Sequence, residues 1–591
     1  MARGSSTQTL RRFGGTLAFW TARNPMQTRY VTIGHRRVHL RTAGSGAPVV
    51  MLHPSPLSSA ALEPLARELA QRYCVIALDT PGYGLSDPLV PAPESLADYL
   101  DPLAETLDAL GIDACCLYGA ATGAQIALEF AKRYPDRIAL LVMDSAGHIS
   151  DADRDRWLQT YFPDVTPRSD GGHLLTWWQM VRDLNLFFPW NEPLASNRIS
   201  RDAPAPDALQ AVLLEYLRAG QSYATAYRPA FYNECAARLA GLAVPTLLTR
   251  WRSSIVLRLT DALIAQGLPS HVEVVELAEG FAARASGLLE ALAARYRGGD
   301  CNLPAEVLPI EHVGGAHLRL RDGYDLHVRG RFGGSDRPVV LLHGAGASVR
   351  LLEPLTTRVA PQHPVVALDL PGHGGSPGRV EMQTVQELSG LAIAAIDHLG
   401  FREAHLVGHE LGAQIALEIA ARAPGLVRSV LAIGLPLLEP DERPSLHRHY
   451  LPDLSPRWDG AHLITAWQML RDRQLFWPWY QRTQAAAIDA DPYLDPTYQQ
   501  AQTLALLESL ETLPGITRSM IDYDSSGAVA QPRCPIVLSA PPSDPFRARI
   551  TALHAALPHT RRLDLPADPH AWWTPLGETL GALEVIRRGR R

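Results

Sequence analysis

The chain has 591 residues, 46% of them hydrophobic and 20% charged, which is too long for one hydrophobic core and suits two soluble domains of ordinary enzyme size. A formal charge of −6 is mild at this length and argues against nucleic acid or an anionic membrane as partner. No apolar run approaches the ~20 residues that span a bilayer. The six cysteines (Cys74, Cys115, Cys116, Cys235, Cys301 and Cys534) show no C-x-x-C pair and no metal-like spacing with histidine, so they are expected to be small buried side chains of a cytoplasmic protein without bound metal.

Residues 1–28 carry Arg3, Arg11, Arg12 and Arg23 without an acid, and their one apolar stretch, Leu17 to Trp20, is too short for a signal-peptide core. A flexible leader, or a true start at Met26, is expected. The next segment, RYVTIGHRRVHLRTAGSG, alternates around a turn and predicts a hairpin of edge strands. Then come the buried run PVVMLH (48–53), a helix from Ser59 to Gln71, and the strand VIALD (75–79) ending in the turn TPGYGLSD. A helix from Ser95 to Gly111 leads to the strand CCLYG, the helix GAQIALEFAKRY and the strand ALLVMD (139–144). Apolar strands alternating with amphipathic helices predict a parallel sheet covered on both faces. After Asp144 a Trp- and Pro-rich helical stretch runs to about Ala240, and strands PTLLT (245–249) and VEVVEL (272–277) complete the sheet.

The same order then repeats. HLRLRDGYDLHVRG is the second hairpin, PVVLLH (338–343) the buried strand, and VVALD (365–369) with LPGHGGS the strand and turn. LYGAATGAQIALEF around Ala121 returns as LVGHELGAQIALEI around Glu410; a core recurring after about 290 residues marks a duplicated domain. SVLAIG (429–434), a second helical excursion, PIVLSA (535–540) and RRLDLP (561–566) close the second copy. The expected limits are 29–297 for the first copy (excursion about 145–240), 298–313 for a Gly- and Pro-rich linker, and 314–591 for the second copy (excursion about 435–530).

Both Ala121 and Glu410 occupy the centre of a Gly-x-x-x-Gly strand–turn–helix junction shaped like a nucleophile elbow. Together with H-G-A-G at 343–346 and D-L-P-G-H-G-G-S at 369–376, this order resembles the α/β-hydrolase fold twice over. The fold class implied is two tandem α/β-hydrolase domains, each a mostly parallel sheet with helices on both faces and a helical cap. The resemblance implies an acid after the seventh strand, Asp544, and a histidine after the eighth, His570, in the order nucleophile, acid, histidine. It also implies an oxyanion hole from the amides of Leu411 and Ala345.

G-H-E-L-G looks like the G-H-D-x-G of epoxide hydrolases and haloalkane dehalogenases, with one methylene more. Glu410 is thus read as a carboxylate nucleophile, with His570, oriented by Asp544, activating the water that cleaves the ester intermediate. Two alternatives stay open: Glu410 as a base or ligand-orienting acid, and Glu410 as a vestige. His343, His409, Trp477 and Tyr480 are the expected substrate contacts, Tyr480 as a hydrogen-bond donor from the cap. His462, Arg471 and Asp472 recur in the first copy as His173, Arg182 and Asp183, so they are assigned to structure. In the first copy Ala121, Ser254 and Ala282 fall at the three catalytic stations, and Pro54 has no N–H where H-G-A-G would donate. That copy is expected to be a pseudoenzyme.

The expected function is hydrolysis of a small apolar ester, epoxide or related electrophile. P-loop and G-x-G-x-x-G fingerprints are absent from the strand–helix junctions, so no nucleotide cofactor is expected. The two copies are expected to pack as an internal pseudo-dimer. The rivals are a non-catalytic small-molecule-binding or scaffolding protein, and a lyase or isomerase using the same pocket.

Overall fold

The computed structural model describes residues 26–334, 337–530 and 533–588, so the expected leader lies outside the described residues up to Met26. The first copy contains β1 (Gln27–Ile33), β2 (Arg36–Ala43), β3 (Pro48–Leu52), β4 (Cys74–Leu78), β5 (Cys115–Ala120), β6 (Ile138–Asp144), β7 (Thr246–Arg250) and β8 (Val272–Glu276). The second contains β9 (Gly314–Arg319), β10 (Asp325–Arg331), β11 (Val339–Leu342), β12 (Val365–Leu368), β13 (Ala404–His409), β14 (Val427–Ile433), β15 (Ile536–Ala540) and β16 (Thr560–Asp564). The sheets share one order, β1-β2-β4-β3-β5-β6-β7-β8 and β9-β10-β12-β11-β13-β14-β15-β16. Each opening hairpin is antiparallel, and from β4 or β12 onward the strands run parallel.

The chemistry of the central strands explains their place. β3, β4 and β5 are buried along their whole length, as strands covered by helices on both faces must be. Two apolar clusters lie on opposite faces of each sheet. Because the strands are parallel, the turns that follow β11, β13, β14, β15 and β16 all leave the same edge of the second sheet. That edge is where ligands bind in open α/β sheets.

The expected helical excursions are present between β6 and β7 and between β14 and β15, and they meet each other. The helix Gly172–Leu184 of one packs on Ala461–Asp472 of the other with reciprocal contacts. Trp178 Nε1 donates to the Trp458 carbonyl at 2.9 Å, and Trp467 Nε1 to the Ser169 carbonyl at 3.2 Å. His462 stands edge-on to Trp178 and His173 to Trp467, with ring centroids 5.1 and 4.9 Å apart. Gly460 and Gly171 lie under those indoles; a Cβ on either would fall 2.7 Å from the facing ring. This is the self-complementary pattern of a two-fold interface, and one apolar cluster runs through both excursions.

A second junction joins the hairpins. Tyr30 and the His327 ring share a 3.0 Å hydrogen bond, and Arg37 Nε donates to the Gly315 carbonyl at 3.0 Å. Arg218 pairs with Glu508 across the copies at 2.6 Å.

Candidate active site

β13 ends at His409 and the helix Leu411–Arg422 starts two residues later, so Glu410 alone makes the turn, at φ +48° and ψ −114°. A non-glycine residue held there is strained, on the order of 1–3 kcal/mol. Gly408 and Gly412 permit the crossing: their Cβ atoms would lie 2.2 Å from the Gly412 carbonyl oxygen and 2.1 Å from that of Leu342. The Glu410 amide donates to the Ile433 carbonyl at 2.9 Å, fastening the apex to β14. Among the described residues neither the Leu411 nor the Ala345 amide donates a hydrogen bond. Ala345 lines the same cavity as Glu410.

The H-G-A-G loop is held by two neutral histidines. The Leu370 amide donates to His343 Nε2 at 3.0 Å and the Gly346 amide to His373 Nε2 at 3.2 Å. Burial pushes both imidazoles below their ordinary range, His373 to about 3, which leaves Nε2 free to accept. His343 also engages the Gly344 carbonyl through Nδ1 at 2.8 Å. Both its nitrogens are therefore used by the backbone, so His343 pins the loop while also lining the cavity. His53 does the same in the first copy, taking the Thr80 amide at 2.9 Å.

Glu410 has a partner that the sequence reading did not name. Arg473 Nη2 donates to Glu410 Oε1 at 2.6 Å. Burial alone would raise the Glu410 carboxyl, but Arg473 and His409 outweigh it and hold the group below its ordinary value. Oε2 lies over Gly344, where a Cβ would sit 2.9 Å from it. Asp544 behaves oppositely. Burial, reinforced by the Glu410 charge, pushes it up to about 7, although the Phe546 amide donates to its Oδ1 at 2.8 Å. Burial pushes His409, beside Glu410, below its ordinary range, and its ring faces that of Trp572 at 5.6 Å.

His570 lies in the cavity wall, in a short turn Pro569–Ala571. Its ring is exposed and stands edge-on to Tyr498 at 6.0 Å. Its amide donates to Asp568 at 2.9 Å. Among the described residues its ring has no hydrogen bond, so the expected contact between Asp544 and His570 is not made.

The cavity is about 160 Å³. Trp477 lines it, packed edge-on to Phe546 at 4.7 Å. Tyr480 does not: its hydroxyl bonds to Ser445 Oγ at 2.8 Å, outside the lining. Tyr450 and Tyr498 stand in the wall instead. Ser543 Oγ donates to the Gln474 side chain at 3.1 Å there. Among the described residues no group of three or more His, Cys, Asp or Glu is placed to hold a metal ion.

In the first copy the elbow backbone is unchanged, with Ala121 also at φ +48° and ψ −114°. Ser254 is buried and accepts from the Val256 amide at 3.3 Å, while Ala282 is exposed in the helix Phe281–Arg295. Internal alignment of VRDLNLFFPW with LRDRQLFWPW sets Leu184 against Arg473. The ion pair of the second copy is thus replaced at both ends, by Ala121 and Leu184. That paired difference was the signal in the sequence for Arg473. Among the shared residues, His173 and His462 serve the interface, and Asp472 pairs with Arg482 at 2.8 Å.

The profile described as "Alpha/beta hydrolase family" matches residues 339–579, and that described as "alpha/beta hydrolase fold" matches residues 47–247. A dihydrolipoyllysine-residue acetyltransferase component of the acetoin cleaving system of Pseudomonas putida is 38% identical over 97 residues, 16% of this chain and 26% of its own. A 2-(acetamidomethylene)succinate hydrolase of Mesorhizobium japonicum is 34% identical over 115 residues, 20% of this chain and 41% of its own. The chain therefore spans less than half the length of these curated relatives. The solved enol-lactonase of Burkholderia xenovorans is 15% identical, covering 46% of this chain and 98% of its own with a TM-score of 0.34. Among the described residues no helix is long and apolar enough to cross a membrane.

Proposed function

The chain belongs to the α/β-hydrolase fold family, carrying two such domains in tandem, and from that premise we propose that the second copy hydrolyses a small, largely apolar ester, epoxide or related electrophile. The first copy is the catalytically empty partner, with the helical excursion of the second serving as its cap. What supports this reading is one arrangement: two carboxyls in one cavity with opposite displacements, Glu410 kept ionised and Asp544 near neutrality. Such a divided pair separates nucleophile from proton carrier.

With Oε1 held by Arg473, Glu410 Oε2 attacks the electrophilic carbon and a C–O bond forms. For an epoxide, the ring C–O bond breaks and its electron pair stays on oxygen. For an ester, the developing oxyanion settles against the Leu411 and Ala345 amides before the alkoxide leaves. Asp544, in its acid form, protonates the departing oxygen. Its carboxylate then takes a proton from water as that water cleaves the Glu410 intermediate, restoring both carboxyls. Asp544 so takes the proton-transfer work that the sequence assigned to His570.

Turnover needs Glu410 ionised and Asp544 protonated. The rate is expected to fall as pH rises through about 7, and Asp544→Asn to remove that limb. Chromogenic esters and styrene oxide are the probes. Glu410→Gln abolishes turnover, while His570→Ala leaves most of it; loss in His570→Ala returns the base role to His570. One turnover in ¹⁸O water should place label in the Glu410 peptide.

A second reading is favoured by the Glu410–Arg473 bond and the exposed His570 ring: a ligand-holding site without hydrolysis. It predicts no turnover with any probe and a ligand-dependent rise in melting temperature.

A further inference from the structure

We propose that Cys74 and Cys301 form a reversible disulfide that fastens the segment joining the two copies to the first sheet. Cys74 opens β4 and is 5% exposed. Cys301 lies 227 positions further along, in the segment after the helix Phe281–Arg295. The fold brings them together through neighbouring residues: the Cys74 amide donates to the Ala47 carbonyl at 3.1 Å and the Cys301 amide to the Gly46 carbonyl at 2.9 Å. The two thiols lie near enough for each to shift the other's ionisation. Arg29 adds a positive charge beside Cys301 and also donates to the Pro304 carbonyl of the same segment.

The pair is asymmetric in the way an exchanging dithiol needs to be. Cys301 is partly exposed and Cys74 buried, so an oxidant meets Cys301 first. The neighbouring Cys74, aided by Arg29, holds the Cys301 thiol below its ordinary value, and Cys74 moves the other way. The thiolate is the attacking species.

With glutathione disulfide as oxidant, Cys301 Sγ attacks one of its sulfurs and a glutathione thiolate leaves. Cys74 then loses its proton and attacks Cys301 Sγ, expelling the second glutathione. Two protein thiols are oxidised and one glutathione disulfide is reduced to two thiols.

The consequence reaches the junction of the copies. The same segment supplies the Val307 carbonyl and Glu306 to Arg37, at 2.6 and 3.1 Å, and Arg37 holds the Gly315 carbonyl of β9. A disulfide at Cys301 therefore limits how far the second copy can part from the first. This inference is independent of the hydrolytic reading.

The test uses the full chain incubated with glutathione disulfide, alkylated under denaturing conditions and mapped by peptide mass. The expected product is a crosslinked Cys74–Cys301 peptide, lost on dithiothreitol treatment and absent from Cys301→Ser. After brief trypsin cleavage at Arg297, the halves should stay joined on a non-reducing gel and separate on a reducing one. Persistent glutathionylation of Cys301, pairing of Cys301 with Cys115, or full alkylation of both cysteines would overturn the proposal. The wild-type peptide map alone decides it should the serine variant fail to fold.

Discussion

Glu410 and Arg473 are each costly without the other. Both side chains are about three-quarters buried, at 24% and 22% exposure. Removing one member of such a pair leaves an uncompensated charge, whereas replacing both with apolar groups is often neutral. The first copy already holds the neutral solution, Ala121 with Leu184. Arg473→Leu and Glu410→Ala are each expected to lower stability. The double variant should recover most of it, with a coupling energy of about 1–3 kcal/mol in a urea-unfolding cycle; additive losses would show the bond to be energetically idle. Gly344 belongs to the same arrangement. Its missing Cβ leaves room for Glu410 Oε2, and Pro54 occupies that position where the first copy has only a methyl group.

At the scale of elements, the elbow is common to both copies. Strand, bend and helix match within the molecule to the same φ and ψ, although only one copy carries a side chain that reaches the cavity. The strain at Ala121 is held because Gly119 and Gly123 lock the crossing: a Cβ on either would lie 2.3 Å from a backbone oxygen. Glycine adopts this backbone without penalty. Ala121→Gly is therefore expected to stabilise the first copy by up to about 1 kcal/mol, read as a higher thermal midpoint with turnover unchanged. The helix Pro496–Glu508 works at the same scale. It presents Tyr498 and Gln502 to the cavity while Glu508 bonds Arg218 of the first copy, so one rigid element faces both the site and the neighbouring domain.

For the whole molecule, the signature shared by both excursions is an interface. Within residues 161–190 and 450–480, Trp178 meets His462 and Gly460 while Trp467 meets His173 and Gly171, the same contact made twice across a pseudo-two-fold axis. The first copy packs against the helices Ala461–Asp472 and Pro496–Glu508 of the second, next to Arg473 and including Tyr498. Trp178→Ala lies in the copy without Glu410, yet it should lower the thermal midpoint of the whole chain, with a loss of about 3–5 kcal/mol. It should also raise KM more than it lowers kcat. Two separate unfolding transitions with an undisturbed second one would show the copies to be energetically independent.

The duplication, the strand order and the station of each elbow were legible from residues alone, because buried parallel strands and glycine-flanked turns depend on local pattern. Glu410, Asp544, His409, His343, Ala345, His570 and Trp477, all named from the sequence, line one cavity, most of them because they follow strands whose ends the pattern fixes. Arg473, Tyr450 and Tyr498 lie in or just past helices of the excursion, whose placement over the sheet no periodicity encodes, and they were missed. The roles of His343, Tyr480 and His570 were decided by which neighbours each ring finds. Burial, partner charge and the direction of a side chain are properties of the packed chain, and they push the Glu410 carboxyl down and the Asp544 carboxyl up.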